Sequence, residues 1–228
     1  RYITRKIGAS GGLHVRLSPH DARTVDIKFM DRRGLNLSKD AERNIERVFF
    51  REDFRRVYLD EIGTIDYQPD VIETYTADFL AKLNTQAIQA ARFSIVVDYA
   101  NAPSSLVLPC ILRDLGVRVV ELNAGLDESR MSIPPQEFQQ SLDQLATICS
   151  ALRTNLGARL DVGGEKLFLV DDRGKIVPSG LATMALATLA LRAAGGGIAA
   201  VPVTVSRTME GVASQYGALD WGRTSPAR

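Results

Sequence analysis

Cysteine is almost absent from this sequence, with two in 228 residues. Cys110 and Cys149 stand far from any CxxC or Cys/His cluster, which excludes a disulfide framework or a zinc ribbon and leaves them as reduced core residues. Net charge is nearly absent too. The 28 Lys and Arg against 27 Asp and Glu leave +1, too little for a field that would recruit nucleic acid or an anionic membrane. One arginine crowd exists, Arg43, Arg47, Arg51, Arg55 and Arg56. Glu42, Glu46, Glu52 and Asp53 interleave with it at helix-neighbour spacing, so it reads as a solvated, salt-bridged helix face. A long hydrophobic run is also missing. The longest apolar-leaning stretch, Leu181 to Leu191, would span about 16 Å as a helix against about 30 Å of bilayer hydrocarbon, and reads as a buried core helix. The opening residues, Arg1-Tyr2-Ile3-Thr4-Arg5-Lys6, hold no apolar signal core, so the default compartment is the cytoplasm. Neither nucleic acid nor membrane is expected as a partner.

What remains is the make-up of a globular protein, 45% hydrophobic and 24% charged, sufficient for one large or two ordinary domains. Leu13, Val15 and Leu17 alternate with His14 and Arg16, and Val25, Ile27 and Phe29 with Asp26 and Lys28. Both patterns have the period of a strand, and Asp31-Arg32-Arg33-Gly34 supplies a turn. Ser38 is placed to cap a helix carrying Ile45, Val48 and Phe49, and further helix is predicted from Val71 to Leu83.

From Arg92 the grammar becomes strand, turn, helix, strand: Phe93 to Val97, a loop at Tyr99 to Pro103, a helix from Ser104 to Leu115 stopped by Gly116, then Val117 to Leu122. That is a βαβ unit, which implies a parallel sheet with helices on its faces. After Pro134-Pro135, the positions Leu142, Leu145, Cys149, Leu152 and Leu156 predict an apolar helical stripe. Arg159-Leu160 and Leu167 to Val170 flank the loop Asp161-Val162-Gly163-Gly164-Glu165-Lys166, and Asp171 to Gly174 makes a turn. A third unit starts near Pro178. Gly195-Gly196-Gly197 reads as a helix stop and not a phosphate loop, because a phosphate loop follows a strand and carries Gly-Lys-Ser/Thr. A strand is predicted at Ile198 to Val205, and Ser206 is placed to cap a helix from Arg207 to Tyr216.

Arg92-Phe93-Ser94-Ile95-Val96-Val97-Asp98-Tyr99-Ala100-Asn101, with Leu106 to Leu115 and Val119 to Ala124, resembles the opening of the second domain of the α-D-phosphohexomutases, the phosphomannomutase/phosphoglucomutase superfamily. Val201 to Arg207 resembles the start of their third domain. The resemblance implies a fragment of a four-domain α/β protein, built of consecutive α/β/α domains with mostly parallel mixed sheets. Residues 1–91 would be the later part of domain I, with the serine loop and then helices. Residues 92–177 would be domain II with the metal loop, and 178–228 the truncated start of domain III. Covalent neighbour domains are expected on both sides.

Family members carry a phosphoserine in Thr-Ala-Ser-His-Asn-Pro, between a Gly-Gly strand and an Ile-Lys-Phe strand. The matching frame here runs from Gly11-Gly12 through Arg16-Leu17-Ser18-Pro19-His20-Asp21 to Ile27-Lys28-Phe29. The resemblance therefore places Ser18 as phosphoryl carrier and Lys28 as general acid/base, while Pro19, His20 and Asp21 depart from the motif. The family's metal loop, Asp-Gly-Asp-x-Asp-Arg, becomes Asp161-Val162-Gly163-Gly164-Glu165-Lys166. Asp161 and Glu165 are the remaining candidate Mg²⁺ ligands, Gly163 stands in place of one, and Lys166 takes the phosphate-contacting arginine's position without its bidentate fork. Mg²⁺ is a hard ion that needs oxygen ligands and charge, so its binding is expected to be weak or lost. Replacing Gly163→Asp, Glu165→Asp and Lys166→Arg together would be expected to strengthen it.

The resemblance implies interconversion of hexose 1- and 6-phosphates through a phosphoserine and Mg²⁺, with a hexose phosphate as partner and a fragment impaired or inactive alone. The contrasting expectation is a non-catalytic mutase-derived module, serving assembly or ligand sensing in a fusion with a sugar-phosphate nucleotidyltransferase. The mutase-like C-terminal parts of mannose-1-phosphate guanylyltransferase-type proteins have similar wording. The phrase Phe50-Arg51-Glu52-Asp53-Phe54-Arg55-Arg56-Val57-Tyr58 leans toward that fusion.

Overall fold

The computed structural model describes residues 1–18, 21, 23–197, 199–202, 211 and 221–224. A short helix, α1 (Tyr2–Lys6), precedes strands β1 (Gly11–Leu17) and β2 (Val25–Asp31), which pair antiparallel with Arg16 opposite Asp26 and His14 opposite Lys28. Opposed residues of an antiparallel pair share a face and alternate residues repeat it. His14, Arg16, Asp26 and Lys28 therefore form a polar face, and Leu13, Val15, Val25 and Ile27 an apolar face whose members are each more than half exposed. Asp31 closes the following turn, its carboxylate accepting from the Arg33 and Leu35 N–H groups.

Ser38 caps α2 (Lys39–Phe50) as expected, accepting from Ala41 N at 3.3 Å. The arginine crowd is solvated and paired, Arg43 with Asp40, Arg56 with Glu52 and Arg55 with Glu61. The helix predicted over 71–83 forms as α3 (Val71–Leu80) and stops three residues early, and a separate helix, α4 (Thr85–Ala91), follows, with Asn84 as its cap accepting from Ala87 N.

The βαβ unit forms as the pattern predicts. Strand β3 (Ser94–Asp98) lies parallel to β4 (Arg118–Leu122), with α5 (Leu108–Asp114) in the crossover. A 3₁₀ turn at Pro103–Leu106 replaces the first part of the expected helix. Pro109 has no N–H to extend a helix from upstream and sits in the first turn of α5, where that donor is not needed. Helix α6 (Pro135–Leu152) buries Leu142, Leu145 and Cys149. The expected continuation of that stripe does not occur. Leu152 is half exposed, Arg153 in the left-handed region ends the helix, and Leu156 belongs to the next strand.

Strand β5 (Leu156–Leu160) joins β3 on its other side in parallel, and β6 (Leu167–Val170) and β7 (Ile176–Val177) extend the sheet antiparallel. The order β4-β3-β5-β6-β7 gives a mixed sheet with its parallel strands together. Val96, Leu145, Cys149 and Val170 are fully buried between α6 and the sheet. Gly157 has no room for a side chain there, since a Cβ would collide with Cys149 Sγ and come within 3.1 Å of Val170 Cβ.

Helix α7 (Ser179–Ala194) ends at Gly195, whose φ of +72° makes it the expected helix stop. The expectation of a buried core helix fails. Only Ala182 and Leu191 are buried, and Leu181, Leu186 and Leu189 are more than half exposed. Apolar composition all round a helix signals an interior only where neighbours surround it, and among the described residues they bury it at those two positions alone. Strands β8 (Ala199–Pro202) and β9 (Trp221–Thr224) pair in parallel. His20, Ser206 and the expected helix of 207–216, apart from Gly211, lie outside the described residues. Among the described residues no helix is long and apolar enough to cross a membrane.

Candidate active site

The parallel strands β3, β4 and β5 end together, and a buried ion pair ties those ends. Asp98, at the end of β3, accepts from Ala100 N at 2.9 Å and Asn123 Nδ2 at 3.0 Å, and its other oxygen pairs with Arg159 Nη1 on β5. Asp98 is 1% and Arg159 5% exposed. The Arg159 guanidinium also lies 5.5 Å from the centre of the Phe138 ring. This arrangement fixes the end of β5, from which the Asp161–Lys166 loop springs.

The loop is a hairpin between β5 and β6, stapled by its first residue. Asp161 Oδ1 accepts from Glu165 N at 2.6 Å and Lys166 N at 2.8 Å, and Gly164 takes φ +62° to make the turn. Its outward groups meet the polar face of the β1–β2 hairpin. Lys28 Nζ reaches Glu165 Oε2 at 2.5 Å, Arg1 Nη2 lies 3.5 Å from Glu165 Oε1, and Arg16 Nη1 is 3.8 Å from Glu165 Oε2 and 3.9 Å from Asp161 Oδ2. Three of the sequence-derived candidates, Lys28, Asp161 and Glu165, are thus brought together. Ser18 lies two residues past Arg16, just beyond the end of β1, its N–H donating to Thr24 O at 2.9 Å. Lys166 lines a different cavity, with Phe138, Phe168 and Met131.

Arg16 is the residue that sequence reasoning missed. The signal was available in the frame itself, where Arg16 occupies the threonine position of the serine motif. Its Nε lies 3.4 Å from Asp26 Oδ2 across the hairpin, and its side chain is 14% exposed. The Nε and Nη1 atoms are buried without a hydrogen-bond acceptor among the described residues.

The arrangement can be tested against Mg²⁺, which takes near-octahedral oxygen ligands at about 2.0–2.1 Å. One Asp161 oxygen is committed to the loop backbone, the other faces Arg16, and Glu165 is bound to Lys28. Among the described residues no group of three or more His, Cys, Asp or Glu could hold a metal ion. In this arrangement the residues present do not fit the ion.

The hydrogen bond from Lys28 pulls the Glu165 carboxyl below the ordinary range. Burial opposes this, and the charges of Lys28, Arg16 and Arg1 reinforce it. A carboxylate whose folded-state pKa is depressed adds stability above its unfolded-state pKa, and that stability is lost as pH falls through the folded value. Glu165→Gln is therefore expected to melt below the wild type at neutral pH, with the gap closing as pH falls below about 4.3. Melting curves across that range check this; a gap independent of pH would show that Glu165 acts by packing alone.

The family model for phosphoglucomutase/phosphomannomutase α/β/α domain I matches residues 1–56, and that for domain II matches residues 73–174. A phosphoglucomutase/phosphomannomutase of Thermococcus kodakarensis is 29% identical over 96% of this chain and 48% of its own length. A phosphoglucosamine/phosphogalactosamine mutase of Sulfurisphaera tokodaii is 25% identical over 77% of this chain and 39% of its own. The chain spans about half the length, or less, of these relatives. Among solved structures, a phosphoglucomutase/phosphomannomutase family protein of Burkholderia thailandensis superposes with TM-score 0.76 at 18% identity, covering 95% of this chain and 45% of that one. Parafusin of Paramecium, a phosphoglucomutase, gives 0.71 at 18% over 97% and 47%. These structures establish the shared fold, and the two family models carry the assignment: the chain belongs to the phosphoglucomutase/phosphomannomutase superfamily, as a phosphohexomutase-like piece holding its α/β/α domains I and II.

Proposed function

We propose that the chain supplies the serine loop and the facing carboxylate loop of a cytoplasmic hexose-phosphate mutase, interconverting hexose 1- and 6-phosphates. The observation that carries this reading is the contact of Lys28 with Glu165, which joins the serine-bearing hairpin to the Asp161 loop in one site. In the proposed step the bond between phosphorus and Ser18 Oγ breaks as a bond to a sugar hydroxyl forms. One proton moves from that hydroxyl to Oγ, with Lys28 as its carrier. Return of the sugar's other phosphoryl group to Ser18 completes the interchange. Phosphoryl transfer depends on positioning and charge more than on covalent help, and the cations around Glu165 supply that charge. Phosphorus NMR of the full-length protein with mannose 1-phosphate and glucose 1-phosphate tests the reading; failure to form a 6-phosphate from either would sink it.

A fusion to a sugar-phosphate nucleotidyltransferase remains our reading of the larger protein. Phe50, Tyr58, Leu59, Ile65 and Tyr67 are all at least 80% exposed, an apolar segment suited to cover by a neighbouring domain. The sequence encoded upstream of Arg1 tests this, a Gly-rich nucleotide-binding signature supporting it and a short mutase start overturning it.

A further inference from the structure

The family is generally Mg²⁺-dependent, yet the space beside Asp161 and Glu165 is taken by a side chain of this protein. A Cβ built on Gly163 would collide with Arg16 Nη1 and stand 3.2 Å from Arg16 Cζ and 3.6 Å from Asp161 Oδ2. The missing ligand and the tip of the arginine therefore compete for one volume, and glycine at 163 leaves the guanidinium that room. We propose that Arg16 is the resident cation of this loop, replacing the divalent ion, and that the site binds a phosphate monoester with no metal. The proposal rests on the reading of the loop as a former metal loop.

Charge supports the exchange. Losing a carboxylate at position 163 removes one negative charge, and a guanidinium in place of a divalent ion removes one positive charge, so the loop's balance is unchanged. Position supports it as well. Arg16 is held from behind by Asp26 at 3.4 Å, and its distances of 3.8 and 3.9 Å to Glu165 and Asp161 are ionic contacts beyond hydrogen-bond length. Neither Nε nor Nη1, though buried, makes a hydrogen bond to the described residues, an unfavourable state that an acceptor-rich ligand relieves. Planar guanidinium donors match phosphate oxygens in a two-pronged fork.

The proposal runs against the expectation that three loop substitutions would restore the ion, because a carboxylate side chain introduced at position 163 would first have to displace the Arg16 guanidinium. The test is a titration of the full-length protein with Mn²⁺, read by the electron paramagnetic resonance of the free ion, together with hexose 1-phosphate binding in EDTA. Wild type is expected to leave Mn²⁺ free and to bind the phosphate ester equally with EDTA or Mg²⁺. Gly163→Asp with Glu165→Asp is expected to gain no Mn²⁺ binding while Arg16 remains. Adding Arg16→Thr to that pair should raise Mn²⁺ affinity by more than about tenfold. Capture of Mn²⁺ by wild type, or equal capture with and without Arg16, overturns the proposal. Should the triple variant not fold, the wild-type titration decides alone. Phosphate-ester binding in EDTA without turnover would sink the mutase reading and leave this one standing; turnover that EDTA abolishes would do the reverse.

Discussion

Arg159→Met is expected to lower stability by about 3–5 kcal/mol and the melting temperature by roughly 6–20 °C. The substitution keeps most of the side chain's apolar bulk but strips the Asp98 carboxylate of its counter-charge at a position 1% exposed. Ala100 N and Asn123 Nδ2 still donate to Asp98, and two neutral donors do not offset the cost of a buried, unpaired carboxylate. Loss of the cation over Phe138 adds a smaller term. Removing both charges, with Asp98→Leu and Arg159→Met together, should recover part of the loss, since the penalty belongs to the orphaned partner more than to the pair. Thermal melts of the two variants and the wild type measure this. A single variant that melts with the wild type would show that water reaches Asp98 and that the pair does not fix the end of β5.

Ser18→Ala is expected to abolish interconversion of hexose phosphates altogether, and Lys28→Met to slow it by about 10²–10⁴-fold. The two losses differ in kind. Without the serine hydroxyl there is no atom to carry the phosphoryl group between sugars, so labelled phosphate should not be retained on the protein. Without Lys28 the carrier remains but the proton has no relay, and labelling should persist while turnover falls. Glu165 would then face Arg16 and Arg1 alone, so the hairpin should still dock. The discriminating measurements are acid-stable labelling by a labelled hexose bisphosphate and the turnover rate of each variant. Full turnover by Ser18→Ala would remove Ser18 from the mechanism.

Much of the fold was legible because its signals are local. Alternation in 13–17 and 25–29, the Ser38 cap and the glycine stop at Gly195 each depend on a few neighbouring residues, and all appear as read. The errors arose where a local pattern had two meanings. Leu156 sits four residues beyond Leu152, which suits a helical stripe, but Arg153 in the left-handed region had already ended the helix without the glycine that usually marks such a stop. The apolar run in α7 named an environment and not a neighbour. The site was half legible. Resemblance pointed to Lys28, Asp161 and Glu165, but the contact between Lys28 and Glu165 joins residues 137 apart, and no periodicity reports such a meeting. Arg16 went unread because, by its sequence position, it was one more outward strand residue.

The seating of Arg16 over Gly163 has a consequence in mass action. A dissociable ion occupies its site according to its free concentration, and a chelator can empty it. A guanidinium fixed to β1 arrives when the hairpin docks and leaves only when it undocks, so neutralising the loop carboxylates and closing the hairpin onto the loop become one equilibrium. Whatever loosens that docking removes the loop's cation with it.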